Sequence, residues 1–153
     1  MTHSSTTPAA PMQLLEKMFT AETSFMASTS RDLRLLSGIF HPDVVVHEPT
    51  SLPYAGDWRG LAGIADLLHR MSDVFSKMAV EDLHCSGDPE RLHVSCILSM
   101  TLKATGVSVR QPFAEVLRFE NGLLLEGTPF YFDTAEISRA MTLPPKLRHD
   151  VHA

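Results

Sequence analysis

The stretch of the chain that says most about its fold is Arg110-Gln-Pro-Phe-Ala-Glu-Val-Leu-Arg-Phe119. Its apolar and polar side chains alternate with the period of two that is typical of a half-buried β-strand. The face that holds most of the apolar side chains comprises Gln111, Phe113, Glu115, Leu117 and Phe119. A carboxylate between Phe113 and Leu117 costs free energy unless it has a partner, a proton or a wet cavity. Glu115 is therefore the first candidate for a functional site.

The segments around this strand predict an antiparallel meander. Asn121-Gly122 follows it directly and is a strong signal for a tight hairpin turn, so residues 123–132 should form a last strand. Residues 78–87 and 91–104 precede residues 108–120 as further long strand candidates. Strands of this length twist and curve, and a curved sheet can wrap a helix and enclose a cavity.

The first half of the chain predicts mainly helices. Residues 12–27 carry an apolar stripe at helical spacing, and Glu22 projects near the middle of that stripe. A short helix over residues 31–40, a strand over residues 44–48 and a helix after Gly60 are expected to follow. Helices that are segregated from an antiparallel meander in this way indicate an α+β domain.

Length and composition predict one domain. The chain has 153 residues, of which 44% are hydrophobic and 20% charged, ordinary values for a globular protein. We expect a disordered leader over residues 1–11, a single domain over 12–141 and a tail over 142–153. Asp133-Thr-Ala-Glu136 has the pattern of a capping box for a short helix near the end of that domain.

Charge and cysteine content exclude several classes of partner. The net charge of −5 and the lack of a Lys/Arg cluster argue against a nucleic-acid surface. No run approaches the roughly 18 apolar residues of a membrane span, and the N-terminus lacks the pattern of a signal peptide. Cys85 and Cys96 have no metal-ligand spacing. We therefore expect a cytoplasmic protein without a metal ion or another cofactor.

Four local motifs, in this order along the chain, support a family resemblance: Phe40-His-Pro-Asp-Val-Val-Val-His-Glu-Pro49, Trp58-Arg-Gly60, Leu117-Arg-Phe-Glu-Asn-Gly122 and Pro129-Phe-Tyr-Phe-Asp133. With the order of elements, they make residues 12–140 similar to the nuclear transport factor 2 (NTF2)-like superfamily, which includes ketosteroid isomerases and SnoaL-like polyketide cyclases. The resemblance implies a cystatin-like cone, in which a curved antiparallel sheet wraps around helices and encloses an apolar cavity. It does not fix the activity, because one fold hosts many functions.

The resemblance to ketosteroid isomerases implies roles for three glutamates. Their acidic general base ends the first strand before a proline, and Glu48 stands there, before Pro49. Their protonated oxyanion donor stands two positions ahead of a Phe-Arg-Phe-like run, as Glu115 does. The third catalytic residue of ketosteroid isomerases is a tyrosine on the first helix, and the first predicted helix of this chain contains no tyrosine. Glu22 takes that position if the loop after the helix is two residues longer here.

Each glutamate also has a structural interpretation. Glu48 could be a partly solvated residue at a strand end, and Glu115 could make a structural hydrogen bond to a buried group. Glu22 could sit at the edge of its stripe and reach solvent. If Glu48 and Glu115 face one cavity, their like charges favour a single proton shared between them at neutral pH.

Aromatic and apolar residues supply the expected ligand-binding surface. Tyr54 and Trp58 lie in or beside the loop after the first strand, where they could cap the cavity mouth or plug the core instead. The other expected substrate-binding residues are Phe19, Met26, Met71, Met100, Phe113 and Phe130. Among the histidines, His84 is the one that alternation could bring to a cavity, whereas His47 should point away from the face of Glu48.

These features favour a small cofactor-independent enzyme that removes a proton beside a carbonyl of a hydrophobic, cyclic, polyketide- or steroid-like substrate. Isomerisation, cyclisation and dehydration share that step. The first alternative is a non-catalytic binder of a hydrophobic small molecule. The second is a scaffold that uses the outer face of the strand over residues 91–104. That uncharged face suits burial against a second copy, so a homodimer is expected; it carries Ser95, Ile97, Ser99 and Thr101.

Overall fold

A computed structural model of the chain describes residues 10–143 and has the expected α+β architecture. Residues 1–9 of the predicted leader and residues 144–153 of the predicted tail lie outside this range. In the described part, no helix is both long and apolar enough to cross a membrane.

Six strands form one curved sheet. They are β1 (Phe40–Glu48), β2 (Gly56–Arg59), β3 (Phe75–Ser86), β4 (Leu92–Leu102), β5 (Ser108–Glu120) and β6 (Leu123–Tyr131). The spatial order is β2-β1-β6-β5-β4-β3. Strands β1 and β6 are parallel, and every other neighbouring pair is antiparallel. The sheet therefore places the end of β1 close to the middle of the β5–β6 hairpin.

Helices cover the inner face of this sheet. They are α1 (Pro11–Ala27), α2 (Arg34–Ser37), α3 (Gly60–Val74) and α4 (Thr134–Thr142). The buried side of α1 carries Leu14, Leu15 and Met18, and that of α3 carries Ile64 and Leu68. These side chains join the apolar face of the meander in one core, as the helical and strand periodicities predicted.

The meander confirms the strand predictions. On β5, Phe113, Leu117 and Phe119 are buried on one side, as alternation required. Asn121 and Gly122 both have positive φ angles, 51° and 77°, which is the backbone of the tight turn that Asn-Gly favours. The Asn-Gly dipeptide therefore closes the β5–β6 hairpin.

Gln111 is a polar residue on the buried face of β5, and it joins α4 to the sheet. Its amide nitrogen donates to the carbonyl of Asp133 at 3.1 Å, and its amide oxygen accepts from the Asp133 N–H at 2.9 Å. The Asp133 carboxylate accepts from the Glu136 N–H at 3.1 Å, which forms half of the predicted capping box. In the other half of a capping box, the Asp133 N–H would donate to the Glu136 side chain. Here it donates to Gln111 instead.

Two local predictions were wrong. The second helix is a single turn over Arg34–Ser37, because Arg31 has a φ of 51° and the chain has already become β1 at Phe40. The loop after β1 contains the unpredicted edge strand β2, which pairs with the end of β1. Four residues are too few for a pattern of period two to be recognised.

His84 does not reach the cavity. The register of β3 against β4 shifts between Glu81 and His84, and Asp82 within the shift has a φ of 52°. This irregularity turns the His84 ring to solvent, where it contacts the Asp82 carboxylate at 2.8 Å. The prediction failed because a β-bulge changes which side chains share a face.

Candidate active site

A cavity of about 280 Å³ lies between the inner face of the sheet and helices α1 and α3. This volume is near the lower end of the roughly 300–1,000 Å³ of ligand pockets. Its apolar walls are formed by Met18, Phe19, Met26, Phe40, Val46, Ile64, Leu67, Leu68, Met71, Met78, Ala79, Val80, Leu98, Phe113, Leu117, Leu124, Gly127 and Pro129. Its polar lining residues are Thr20, Glu22, Thr23, Glu48, Glu115 and Tyr131. The space suits a compact, largely apolar ligand with a few polar groups.

The cavity brings the three predicted glutamates together. Glu22 comes from α1, Glu48 from the last position of β1 and Glu115 from the middle of β5. Glu48 is buried, with 9% of it exposed, whereas Glu22 and Glu115 are half-buried and line the cavity. The interpretation of Glu48 as a solvated strand end is therefore wrong, while Glu22 lines the cavity with part of its surface exposed.

Local periodicity aims each carboxyl inward. Glu22 stands one helical turn from Met18 and one from Met26, and all three line the cavity. Glu48 lies two positions after Val46, so the two side chains share the face of β1 that lines the cavity. Glu115 lies opposite Val94 on β4 and Pro129 on β6, in the centre of the sheet.

His47 points away from the cavity, as alternation with Glu48 predicted. Its Nδ1 lies 2.7 Å from Asp57 on β2, and its Nε2 lies 3.0 Å from Glu126 on β6. The hydrogen bonds to Glu126 and Asp57 raise the pKa of His47. This cluster ties the end of β1 to both neighbouring strands and so holds the backbone that presents Glu48.

Burial raises the pKa of all three cavity carboxyls. Desolvation raises the pKa of Glu115 to about 7. Desolvation, followed by the charge of Glu115, raises the pKa of Glu48 to about 8. The pKa of Glu22 lies well above its usual range, because of desolvation first and then the charges of Glu115 and Glu48. The three groups are thus close enough to titrate as one coupled set.

These carboxyls have no hydrogen-bonding partner in the described part of the protein. Glu48 Oε2 is buried without one, and no hydrogen bond contributes to the pKa of Glu22, Glu48 or Glu115. The interpretation of Glu115 as a structural hydrogen-bonding residue is therefore not supported between residues 10 and 143. Buried polar groups are normally paired, so this arrangement leaves them available to a ligand or to water.

Tyr131 is a polar cavity residue that the sequence patterns did not predict. Its hydroxyl lies 2.9 Å from the Tyr54 hydroxyl, and the residue lines the cavity from β6. Burial, followed by the neighbouring Tyr54 and Glu48, raises the pKa of Tyr131 well above its usual range. A neutral phenol therefore stands beside the carboxyls, although the first helix carries no tyrosine. The signal was the quoted Pro129-Phe-Tyr-Phe-Asp133 motif, but the two phenylalanines obscured which side chain points inward.

Half of the predicted ligand-contact residues line the cavity and half do not. Phe19, Met26, Met71 and Phe113 lie in its walls, as expected. The prediction of ligand contact is wrong for Tyr54, Trp58, Met100 and Phe130, none of which lines the cavity.

These four residues lie elsewhere for two reasons: three pack in or against the core, and Phe130 faces outward. Tyr54 is 1% exposed and packs in the core behind Tyr131, and the Trp58 Nε1–H donates to the Tyr54 carbonyl at 2.9 Å. Both residues therefore support the cavity wall from behind. This position resembles the second interpretation of the sequence, in which they plug the core. Met100 is also core, at 1% exposure. Phe130 alternates with the inward Tyr131 and is 55% exposed on the outer face.

This arrangement is suited to proton transfer. An apolar cavity that holds carboxyls with pKa values near 7 and 8 contains a base and an acid at neutral pH. The neutral phenol of Tyr131 adds a second hydrogen-bond donor in the same space. Such donors stabilise an oxyanion most strongly where water is excluded.

Comparison with known proteins gives a family and a fold. The SnoaL-like domain family matches residues 21–127. No curated protein matches the chain. Many solved structures share the fold, and a large part of the chain aligns with each of the three described next.

An NTF2-like protein from Burkholderia xenovorans is 20% identical, with a TM-score of 0.72 over 86% of this chain and 95% of that one. An NTF2-like protein of unknown function from Burkholderia pseudomallei is 26% identical, with a TM-score of 0.65 over 85% and 98%. A putative SnoaL-like polyketide cyclase from Jannaschia is 14% identical, with a TM-score of 0.66 over 88% and 97%. These similarities establish the predicted cone, and at such identities they do not transfer an activity.

The raised pKa of Glu48 predicts a pH-dependent stability that E48Q should remove. The folded pKa lies above the ordinary 4.5, so this group's contribution to stability is present below pH 4.5 and lost as the pH rises to about 8. We expect E48Q to match the wild type in free energy of unfolding at pH 4.5. At pH 9 it should be more stable by on the order of 2–4 kcal/mol.

Urea unfolding at a series of pH values measures this difference. E16Q is the matched control, because Glu16 is exposed on α1 and carries the same charge. Parallel stability curves for E48Q and the wild type would contradict the assignment of a raised pKa to Glu48.

Proposed function

We propose that this chain, which belongs to the SnoaL-like domain family, is a cofactor-independent acid/base enzyme of the isomerase, cyclase or dehydratase type. The substrate would be a hydrophobic, cyclic, polyketide- or steroid-like molecule with a carbonyl group. The observation that carries the proposal is the set of carboxyls with raised pKa values that share one apolar cavity and lack protein partners.

In this proposal Glu115 is the base and Glu48 the acid. Desolvation raises the pKa of both groups, and the charge of Glu115 raises that of Glu48 further, so the pair shares one proton near neutral pH. The Glu115 carboxylate would remove a proton from the carbon beside the substrate carbonyl. Glu48, still protonated, would donate a hydrogen bond to the resulting enolate oxygen. This exchanges the roles that the resemblance implied for the two glutamates.

Tyr131 would be the second donor to the enolate oxygen. Its hydroxyl can donate into the cavity while it accepts from Tyr54, since either hydroxyl can be the donor of that hydrogen bond. Tyr54 would thus act as a positioning residue. The enolate could then take back the proton at another carbon, attack a second carbonyl, or expel a β-hydroxyl group as water. These outcomes are isomerisation, cyclisation and dehydration.

Hydrogen–deuterium exchange tests this step without the natural substrate. We expect the protein to catalyse exchange of the α-hydrogens of 1-tetralone in D₂O, followed by NMR. The exchange rate should fall roughly 100- to 1,000-fold in E115Q, which lacks the base, and roughly 10- to 100-fold in E48A, which lacks the donor. Exposed-site variant E16Q should retain the wild-type rate.

The pH profile adds a second readout of the same experiment. The exchange rate should rise as Glu115 ionises near pH 7 and fall as Glu48 ionises near pH 8. Binding of 1-tetralone without exchange above the buffer rate would overturn the enzymatic proposal and favour the non-catalytic binder.

We also propose that the protein forms a homodimer through the outer face of the sheet. An apolar strip crosses β4, β5 and β6 there, and it comprises Ile97, Pro112, Ala114, Phe130 and Phe132. In this strip Pro112 pairs with Ile97 and Ala114 pairs with Phe130. Phe130 is 55% exposed and Phe132 76%. A continuous apolar strip of this kind favours burial against an identical surface.

The mass in solution tests the dimer. Light scattering should give twice the chain mass of 16.9 kDa, and F132E should reduce the mass to that of one chain because it places a charge in the strip. A wild-type mass of one chain would contradict the proposal.

A further inference from the structure

We infer that the molecule bound in this cavity carries a basic nitrogen, as a protonated amine, and that Glu22 is the residue that selects it. This inference rests on the proposed function for the choice of site. It concerns a different property, namely the charge of the ligand. Its starting point is that proton transfer uses Glu115 and Glu48, which leaves the third carboxyl without a role.

The charges around the cavity are one-sided. Helix α1 contributes Glu22, β1 contributes Glu48, β5 contributes Glu115 and β6 contributes the neutral Tyr131. Helix α3 and strand β3 contribute only apolar side chains. On β4, burial and then the charge of nearby Glu115 raise the pKa of the Cys96 thiol to about 11, so the thiol is also neutral. Among residues 10–143, no Lys, Arg or His lines the cavity.

Such a cavity lacks a counter-charge whenever one of its carboxyls is ionised. A buried carboxylate without a partner is costly, and a cation or several hydrogen-bond donors relieve that cost. Glu48 Oε2 illustrates the deficit, because it is buried in the cavity wall with no donor in reach. The missing charge must therefore come from protons or from the ligand.

An ammonium group supplies what the cavity lacks. It brings a positive charge and up to three N–H donors, and charge-assisted hydrogen bonds to carboxylates are the stronger kind. A neutral carbonyl would accept hydrogen bonds only from Glu48 and Tyr131 and would leave Glu22 unused. An anionic ligand would face three carboxyls and no base. The charge pattern thus favours a cationic ligand.

A metal ion is a poorer match for the same carboxyls. Within the described residues, no group of three His, Cys, Asp or Glu side chains is arranged to hold one. An organic cation can contact carboxyls that are spread around an apolar cavity, while its carbon skeleton fills the rest of the space. Phe19, Met26 and Met71 would pack against that skeleton.

Three probes with one ring skeleton test the inference: 1-tetralone, 1-aminotetralin and 1,2,3,4-tetrahydro-1-naphthoic acid, which are neutral, cationic and anionic at pH 7.5. By isothermal titration calorimetry, we expect the amine to bind at least about tenfold more tightly than the ketone. The acid should give no measurable binding. Amine binding should also release protons from the carboxyls, which makes the measured heat depend on the buffer's heat of ionisation.

The Glu22 variant identifies the selecting residue. In E22Q the amine-to-ketone affinity ratio should fall to near one, whereas the exposed-site control E16Q should keep the wild-type ratio. The inference is overturned if the wild-type ratio is one or less, if E22Q keeps the wild-type ratio, or if no probe binds.

These results separate the two proposals. Catalysed exchange of 1-tetralone without a preference for the amine overturns only the ligand class. A preference for the amine without exchange overturns only the enzymatic role.

Discussion

The constraint on which the structure depends is the burial of three carboxyl groups in one cavity without a counter-charge. Each carboxyl is held by a different element, so the cavity exists only when α1, β1 and β5 are assembled. The apolar walls raise the pKa of each group, and the charge of Glu115 raises the pKa of the other two further. A fold built only for stability would avoid this cost. The cost is expected where groups must exchange protons near neutral pH.

The supporting residues lie outside the cavity. His47 uses both ring nitrogens to join β1 to β2 and β6, directly beside the backbone of Glu48. Behind the opposite wall, Trp58 donates to the carbonyl of Tyr54, whose hydroxyl contacts that of Tyr131. The first arrangement holds the backbone that presents Glu48, and the second holds the Tyr131 hydroxyl. They explain why polar residues that touch no ligand space still matter to the geometry of the site.

Periodicity predicted the fold and one of the three carboxyls, Glu115, well. The alternation in β5 identified Glu115 as an inward-facing acid, and the helical stripe of α1 made Glu22 a candidate without deciding whether it faces solvent. Both patterns are local, so the sequence contains them. Glu48 needed the family resemblance, since a strand end can equally face solvent.

The errors arose where the register of a strand is set by its neighbours. In Phe130-Tyr131-Phe132, alternation allows either Tyr131 or the two phenylalanines on the inner face, and hydrophobicity favours the phenylalanines. The pairing of β6 with β5 instead turns Tyr131 inward. A shift by one residue exchanges every side chain between the two faces. The shift in β3 displaced His84 in the same way. No local pattern encodes such shifts, because they depend on hydrogen bonds to distant residues.

The pH titration of the glutamate carboxyls by ¹³C NMR tests the central claim most directly. With labelled glutamate, and with E22Q, E48Q and E115Q used to assign the signals, three carboxyls should titrate well above 4.5, with Glu115 near 7 and Glu48 near 8. Removing one of the three should lower the pKa of another. Titration of all the carboxyls near their ordinary values, with no effect of one on another, would contradict a shared, desolvated cavity.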